Sequence, residues 1–139
     1  MKVLYISPGD HLDYQDDCLF IGLCELLGSS VIDVNKRFHV YDSFDENKLK
    51  NLYGRGMTVT RVIPDINKDR SNVLEKIKHR FYDFVVYGSI WRCQDYIEEV
   101  VSNYKKTEIF FIDGEDDTKI NYKIINSGYI CLKRELIYS

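Results

Sequence analysis

The 139-residue sequence predicts an α/β domain built on a doubly wound, mostly parallel five-stranded sheet. Three observations carry that expectation. Short apolar runs of four to six residues alternate with stretches of about ten residues whose apolar positions recur every three or four. Glycine or proline punctuates the joins. Hydrophobic residues make up 45% of the chain and charged residues 29%, the balance of a chain that folds around an apolar core without disulfide or metal support.

Val3 to Ser7 is an apolar run stopped by Pro8-Gly9, too short for a helix and suited to a buried strand. From Asp16 to Leu27, Leu19, Phe20, Leu23, Leu26 and Leu27 form one face of an amphipathic helix, and Gly28 follows as its stop. Asp16 and Asp17 fall in the first turn, where carboxylates complement the helix dipole. Ser30 to Val34 completes a strand–helix–strand unit with a right-handed crossover.

Asn35 to Met57 holds two aromatic clusters, a short helix around Asp45 to Leu52 and the tripeptide Gly54-Arg55-Gly56. Thr58 to Ile63 alternates β-branched and polar residues as an edge strand, and Pro64 ends it. Asp69 or Ser71 caps a helix running to about His79. Phe84 to Tyr87 is the most apolar strand, and Gly88-Ser89 follows it. A helix from about Cys93 to Tyr104 leads to a fifth strand, Glu108 to Ile112. A short helix near Lys119 to Ser127 and a terminal strand at Tyr129 to Leu132 complete the chain.

The preferred strand order is 3-2-1-4-5, as in half of a Rossmann fold, within a single domain spanning residues 1–139. The alternative is the flavodoxin- or receiver-like order 2-1-3-4-5. Either order places ligands at the carboxyl ends of the strands, so the loops there carry the functional question.

A net charge of −3 removes any general attraction to phosphate backbones, so nucleic acid is not an expected partner. Cys18, Cys24, Cys93 and Cys131 form no C-x-x-C pair and no zinc pattern, and read as buried free thiols. The amino-terminal apolar run is too short for a signal peptide, which places the expected protein in the cytoplasm without a transmembrane segment.

Four groups of residues can carry chemistry. Gly9, Asp10, His11 and Asp13 follow the first strand; since carboxylates make an imidazole a better general base, Asp10, His11 and Asp13 form a candidate catalytic group. The loop lacks the G-x-G-x-x-G and Walker patterns. Asp113, Gly114, Glu115, Asp116 and Asp117 follow the fifth strand. Asp113 and Glu115 are candidate ligand contacts, and Asp116 and Asp117 could hold Mg2+, although their spacing is not that of an EF-hand and no cofactor is required. Gly54 and Gly56 would let a loop approach a ligand while Arg55 offers a bidentate fork. Gly88 and Ser89 lie at a strand end, where a ligand contact is expected. Each group has a structural alternative: a solvated loop, a helix cap or a tight turn.

The phrases Asp13-Tyr14-Gln15-Asp16-Asp17, Gly22-Leu23-Cys24-Glu25-Leu26-Leu27-Gly28, Tyr53-Gly54-Arg55-Gly56-Met57, Val86-Tyr87-Gly88-Ser89, Ile112-Asp113-Gly114-Glu115-Asp116-Asp117 and Leu132-Lys133-Arg134-Glu135-Leu136 occur in order along most of the chain. Together they resemble glycosyltransferase-like proteins of bacterial surface-polysaccharide clusters. The resemblance implies the amino-terminal, Rossmann-like half of a two-domain GT-B-type sugar transferase. It also implies a sugar or glycan acceptor as partner, with a second domain or a protein partner supplying most of the donor-nucleotide site. The competing expectation is a receiver-like regulatory or protein-interaction domain that catalyses nothing; a magnesium-dependent phosphohydrolase is a third. The first two readings require the turns at residues 10–17 and 113–117 to be located: a shared polar crevice favours the first, and exposed apolar surface the second.

Overall fold

The computed structural model describes residues 1–51, 59–119 and 121–134. Five strands form one all-parallel sheet: β1 (Val3–Ile6), β2 (Val31–Asp33), β3 (Phe84–Tyr87), β4 (Ile109–Asp113) and β5 (Ile130–Lys133). Their order is β2-β1-β3-β4-β5, the second of the two orders expected from sequence. Val3 pairs in register with Val31 on one side and with Phe84 on the other, which makes β1 an interior strand. All four of its side chains are buried, as an apolar run without polar alternation requires.

The period-two alternation of side chains divides the core between the two sheet faces. Leu4, Ile6, Val85, Tyr87, Ile109 and Phe111 pack with α2 (Val73–Lys78) and α3 (Ile97–Asn103), and Ile124 of α4 (Tyr122–Asn126) joins them at the edge. Val3, Tyr5, Val86 and Ile112 face the other way, against Phe20 and Cys24 of α1 (Tyr14–Leu27).

Asp13 starts α1: its Oδ1 accepts from the backbone N–H of Gln15 at 3.0 Å and of Asp16 at 3.2 Å, satisfying two otherwise orphaned donors. The helix therefore begins before the expected Asp16. Gly28, at φ 59°, ends it where the sequence placed the stop. The inner face keeps most of the expected stripe, with Phe20 buried and Leu19, Leu23 and Leu27 packed against the same core, and adds two carboxylates to it. It runs through Asp16, Asp17, Phe20 and Cys24, while Leu26 is 81% exposed. Leu19, Leu23 and Leu26 also border an apolar groove of about 370 Å³ beside Phe84, Phe110 and Leu132. Of the four thiols expected to be buried, Cys24 and Cys93 are, whereas Cys18 is exposed and Cys131 half-buried.

The expected third strand does not join the sheet, which is why the order 3-2-1-4-5 is not formed. Thr58 lies outside the described residues, and Ile63 makes one isolated bridge with Tyr41. The Val62 and Ile63 N–H groups both donate to Val40 O at 2.9 Å, and Pro64 has no N–H with which to extend the ladder. The helix expected around Asp45 to Leu52 is a 3-10 turn over Glu46–Asn51. Asn72, in a left-handed conformation, rather than Asp69 or Ser71, precedes α2. The expected fifth strand is β4, so β5 is the terminal strand, and it ends on a lysine.

Candidate functional site

Because every strand is parallel, all five carboxyl ends lie along one rim, and the loops after β1, β3, β4 and β5 meet there. The turns at residues 10–17 and 113–117 are thus brought together. Arg92, in the loop after β3, joins them: NH1 lies 2.7 Å from Asp13 Oδ2, and NH2 lies 2.9 Å from Glu115 Oε1. These pairs form part of the wall of a hollow of about 310 Å³, bordered also by His11, Leu12, Tyr14, Gly114, Asp116 and Arg134.

Two further hollows adjoin it. One, of about 470 Å³, lies among Gly9, Asp10, Asn35, Phe38, Arg92 and Asp95. The other, of about 490 Å³, lies among Asp10, Leu12, Phe38, His39, Asp45 and Lys48.

The loop that carries Gly9 to Asp13 is held from beneath by a buried charged network. Arg37 has no exposed side-chain surface; its NH1 donates to Asp16 Oδ2 at 2.8 Å, to Ser7 Oγ at 2.6 Å and to Pro8 O at 3.0 Å. Its Nε donates to Asp17 Oδ1 at 3.0 Å, NH2 also reaches Asp17, and NH2 donates to His11 O at 3.3 Å. His39 Nε2 lies 2.8 Å from Asp17 Oδ1. Burial pulls the Arg37 guanidinium toward neutrality, but Asp16 and Asp17 outweigh it and hold its pKa above the ordinary value. Burial also raises the Asp16 carboxyl, against the pull of Arg37. Tyr5 donates to Asp16 Oδ1 at 2.5 Å, and desolvation with the Asp16 charge pushes its hydroxyl pKa well up.

A second buried pair lies at the end of β4. Lys133 Nζ is 3.1 Å from Asp113 Oδ1 and 3.2 Å from Asp117 Oδ1. Burial lowers the Lys133 pKa, and these two carboxylates more than restore it. Asp116 pairs with Arg134. Both candidate metal ligands are therefore engaged by cationic side chains. Among the described residues no group of three or more His, Cys, Asp or Glu is arranged to hold a metal ion.

The structure sorts the sequence candidates by exposure. Asp10 and His11 are exposed on the rim, and His11 borders the first hollow. Asp13 does two structural tasks, capping α1 and pairing with Arg92. Gly9 presses its backbone on Lys36 O, leaving no room for a Cβ. Gly88 is buried, and the space a Cβ would need is filled by the Tyr5 hydroxyl and the Asp16 carboxylate; the expected ligand contact is a packing position. Ser89 is buried too, and its carbonyl accepts from Arg92 N at 3.1 Å and Cys93 N at 3.0 Å. Asp113 is 1% exposed and tied to Lys133, which removes it from the rim surface. Glu115 holds Arg92. Gly54, Arg55 and Gly56 lie outside the described residues.

Sequence reasoning missed Arg37, Arg92 and Lys133, the three cations that organise the rim. Their partners lie 16 to 79 residues away, so no local spacing announces them. The one visible signal was Asp16-Asp17 at inward positions of an amphipathic helix, which calls for a buried cation.

Among the described residues no helix is long and apolar enough to cross a membrane. Comparison of the chain with protein-family models, with curated proteins and with solved structures finds no match in any of the three.

Proposed function

We propose that the chain is a glycosyltransferase-like domain of glycan assembly that holds a sugar or glycan acceptor at the carboxyl rim of its sheet, with a second domain or partner chain handling the donor nucleotide. The observation that carries this reading is the pair of Arg92 contacts, which closes the loops after β1, β3 and β4 around one polar, concave surface. Such a surface at the strand ends is where an open α/β sheet takes its ligand. The order of phrases along the sequence supports it further. Of the candidate bases, His11 is the one that is both exposed and on the wall of that hollow, and it has the first role in taking a proton from an acceptor hydroxyl.

Thermal denaturation of the full chain with sugar nucleotides and neutral glycan fragments tests the reading. A ligand at one hundred times its Kd raises stability by about 2.7 kcal/mol. A glycan-dependent rise that His11→Ala weakens is the expected result; no rise with any glycan would discard the proposal.

A second reading, a receiver-like interaction domain, draws on the order β2-β1-β3-β4-β5, on Lys133 at the end of β5, and on the apolar groove beside α1. Against a working phosphoreceiver, β3 is followed by Gly88-Ser89 where the phosphorylated aspartate would stand. This reading expects a partner protein on the groove and no response to glycans.

A further inference from the structure

The three rim hollows run together around the loop after β1. The first and second share Arg92, the second and third share Gly9, Asp10 and Phe38, and the first and third share Leu12. Each is near the lower end of the roughly 300–1,000 Å³ range of small-ligand pockets. A single compact ligand would fill one and leave its neighbours wet, whereas a chain of small units can occupy them in turn.

Each hollow also has an aromatic ring on its wall. Tyr14, 44% exposed, lines the first, and Phe38, 60% exposed, forms the ridge between the other two. The negative face of such a ring attracts polarised C–H bonds. Beside the rings stand hydrogen-bond acceptors, the exposed Asp10 and the Asp95 carboxylate that accepts from Asn35 Nδ2 at 3.0 Å.

The charges select against a phosphate-bearing ligand. Arg92 is neutralised by Asp13 and Glu115, Arg134 by Asp116, and Lys36 by Asp65 at 2.7 Å. Lys48, exposed on the outer wall of the third hollow, makes no ion pair among the described residues, but it is one cation facing Asp10 and Asp45 across the same space. A pyrophosphate entering here would meet carboxylates and spent cations, at a Coulombic cost. Hydroxyl groups, which donate to carboxylates without carrying charge, suit the same walls.

We infer that the three hollows are consecutive subsites for a neutral oligosaccharide, with Tyr14 and Phe38 as stacking platforms and Asp10 and Asp95 as acceptors of its hydroxyl hydrogens. The inference rests on the acceptor-binding reading above and specifies its ligand as extended, uncharged and free of phosphate.

The test is titration calorimetry on the full chain with neutral trisaccharides of glucose, galactose, mannose and N-acetylglucosamine, the matching monosaccharides, a uronic-acid trisaccharide and UDP-glucose. At least one neutral trisaccharide is expected to bind about tenfold or more tighter than its monosaccharide, with Phe38→Ala removing about tenfold of that affinity. Phe38 is largely exposed, so circular dichroism should show the variant still folded. Equal affinity for monosaccharide and trisaccharide, or preference for the uronic-acid trisaccharide, overturns the extended neutral ligand while sparing acceptor binding. Binding of UDP-glucose alone, or of nothing in the set, overturns both.

Discussion

Arg37 and Asp16 form an ion pair at 2.8 Å with almost no solvent access to either side chain. The pair lies under the loop from Ser7 to Asp13, and the same guanidinium donates to the carbonyls of Pro8 and His11. The candidate site is thus rigid from below and open from above. That division separates substitutions that damage the fold from those that damage binding.

Arg37→Met removes five donors at once and leaves Asp16 and Asp17 buried without their cation. Breaking a buried pair from one side costs about 3–5 kcal/mol, and urea denaturation should show a loss of that size. Arg37→Lys should recover little, because an ammonium group cannot span Asp16, Asp17 and two loop carbonyls together.

Gly88→Ala places a methyl group where the Tyr5 hydroxyl and the Asp16 carboxylate now meet. Overpacking of this kind costs about 1–3 kcal/mol. Tyr5→Phe should relieve little of that loss, because the Asp16 carboxylate and the Tyr5 ring carbon still crowd the methyl and Asp16 loses a donor; a double-mutant cycle measures the coupling.

Arg92→Ala should behave in the opposite way. The side chain is partly exposed, and such pairs are worth about 0–1 kcal/mol, so the melting temperature should move by only a few degrees. Glycan affinity should fall, because the loops after β1 and β4 lose their common tie.

Alkaline pH should unfold the protein. Burial, with neighbouring carboxylates or thiols, raises the hydroxyl pKa of Tyr5, Tyr41, Tyr87 and Tyr104, and pushes Tyr82 to about 12 and the Cys93 thiol to about 11. Above the ordinary tyrosine value of about 10, the unfolded chain releases protons that the folded chain keeps, so stability falls as pH rises. The tyrosine contribution is fully present below about pH 10, and that of the Cys93 thiol below about pH 9. Between about pH 10 and 12, the part of the tyrosinate absorbance that comes from the buried tyrosines should rise together with loss of helical circular dichroism rather than before it.

Magnesium should add no measurable stability. Asp116 and Asp117 already hold Arg134 and Lys133, and Mg2+ would have to displace an ammonium or guanidinium group while surrendering water. A melting temperature unchanged by millimolar Mg2+ is the expected result; a clear rise would restore the acidic turn as a metal site.

What the sequence determined by itself is the five strands of the sheet and the helices between them, though not the fate of the stretch from Asp45 to Ile63. Apolar runs at Val3 to Ser7 and Phe84 to Tyr87 have no stable alternative to burial as strands, and Gly28 ends α1 because its φ of 59° is open to glycine. These are local constraints, readable from spacing and residue type. The rim is different. Whether Asp16 faces water or a guanidinium, whether Gly88 meets a ligand or a tyrosine, and whether Asp13 and Glu115 share Arg92 all depend on which loops the strand order brings together. Ile63 shows the same limit in the fold: its β-branched neighbours suit a strand, yet its backbone pairs with Val40 and Tyr41 rather than β2. Buried charges find partners across tens of residues through burial and geometry, and only the tertiary structure fixes those distances.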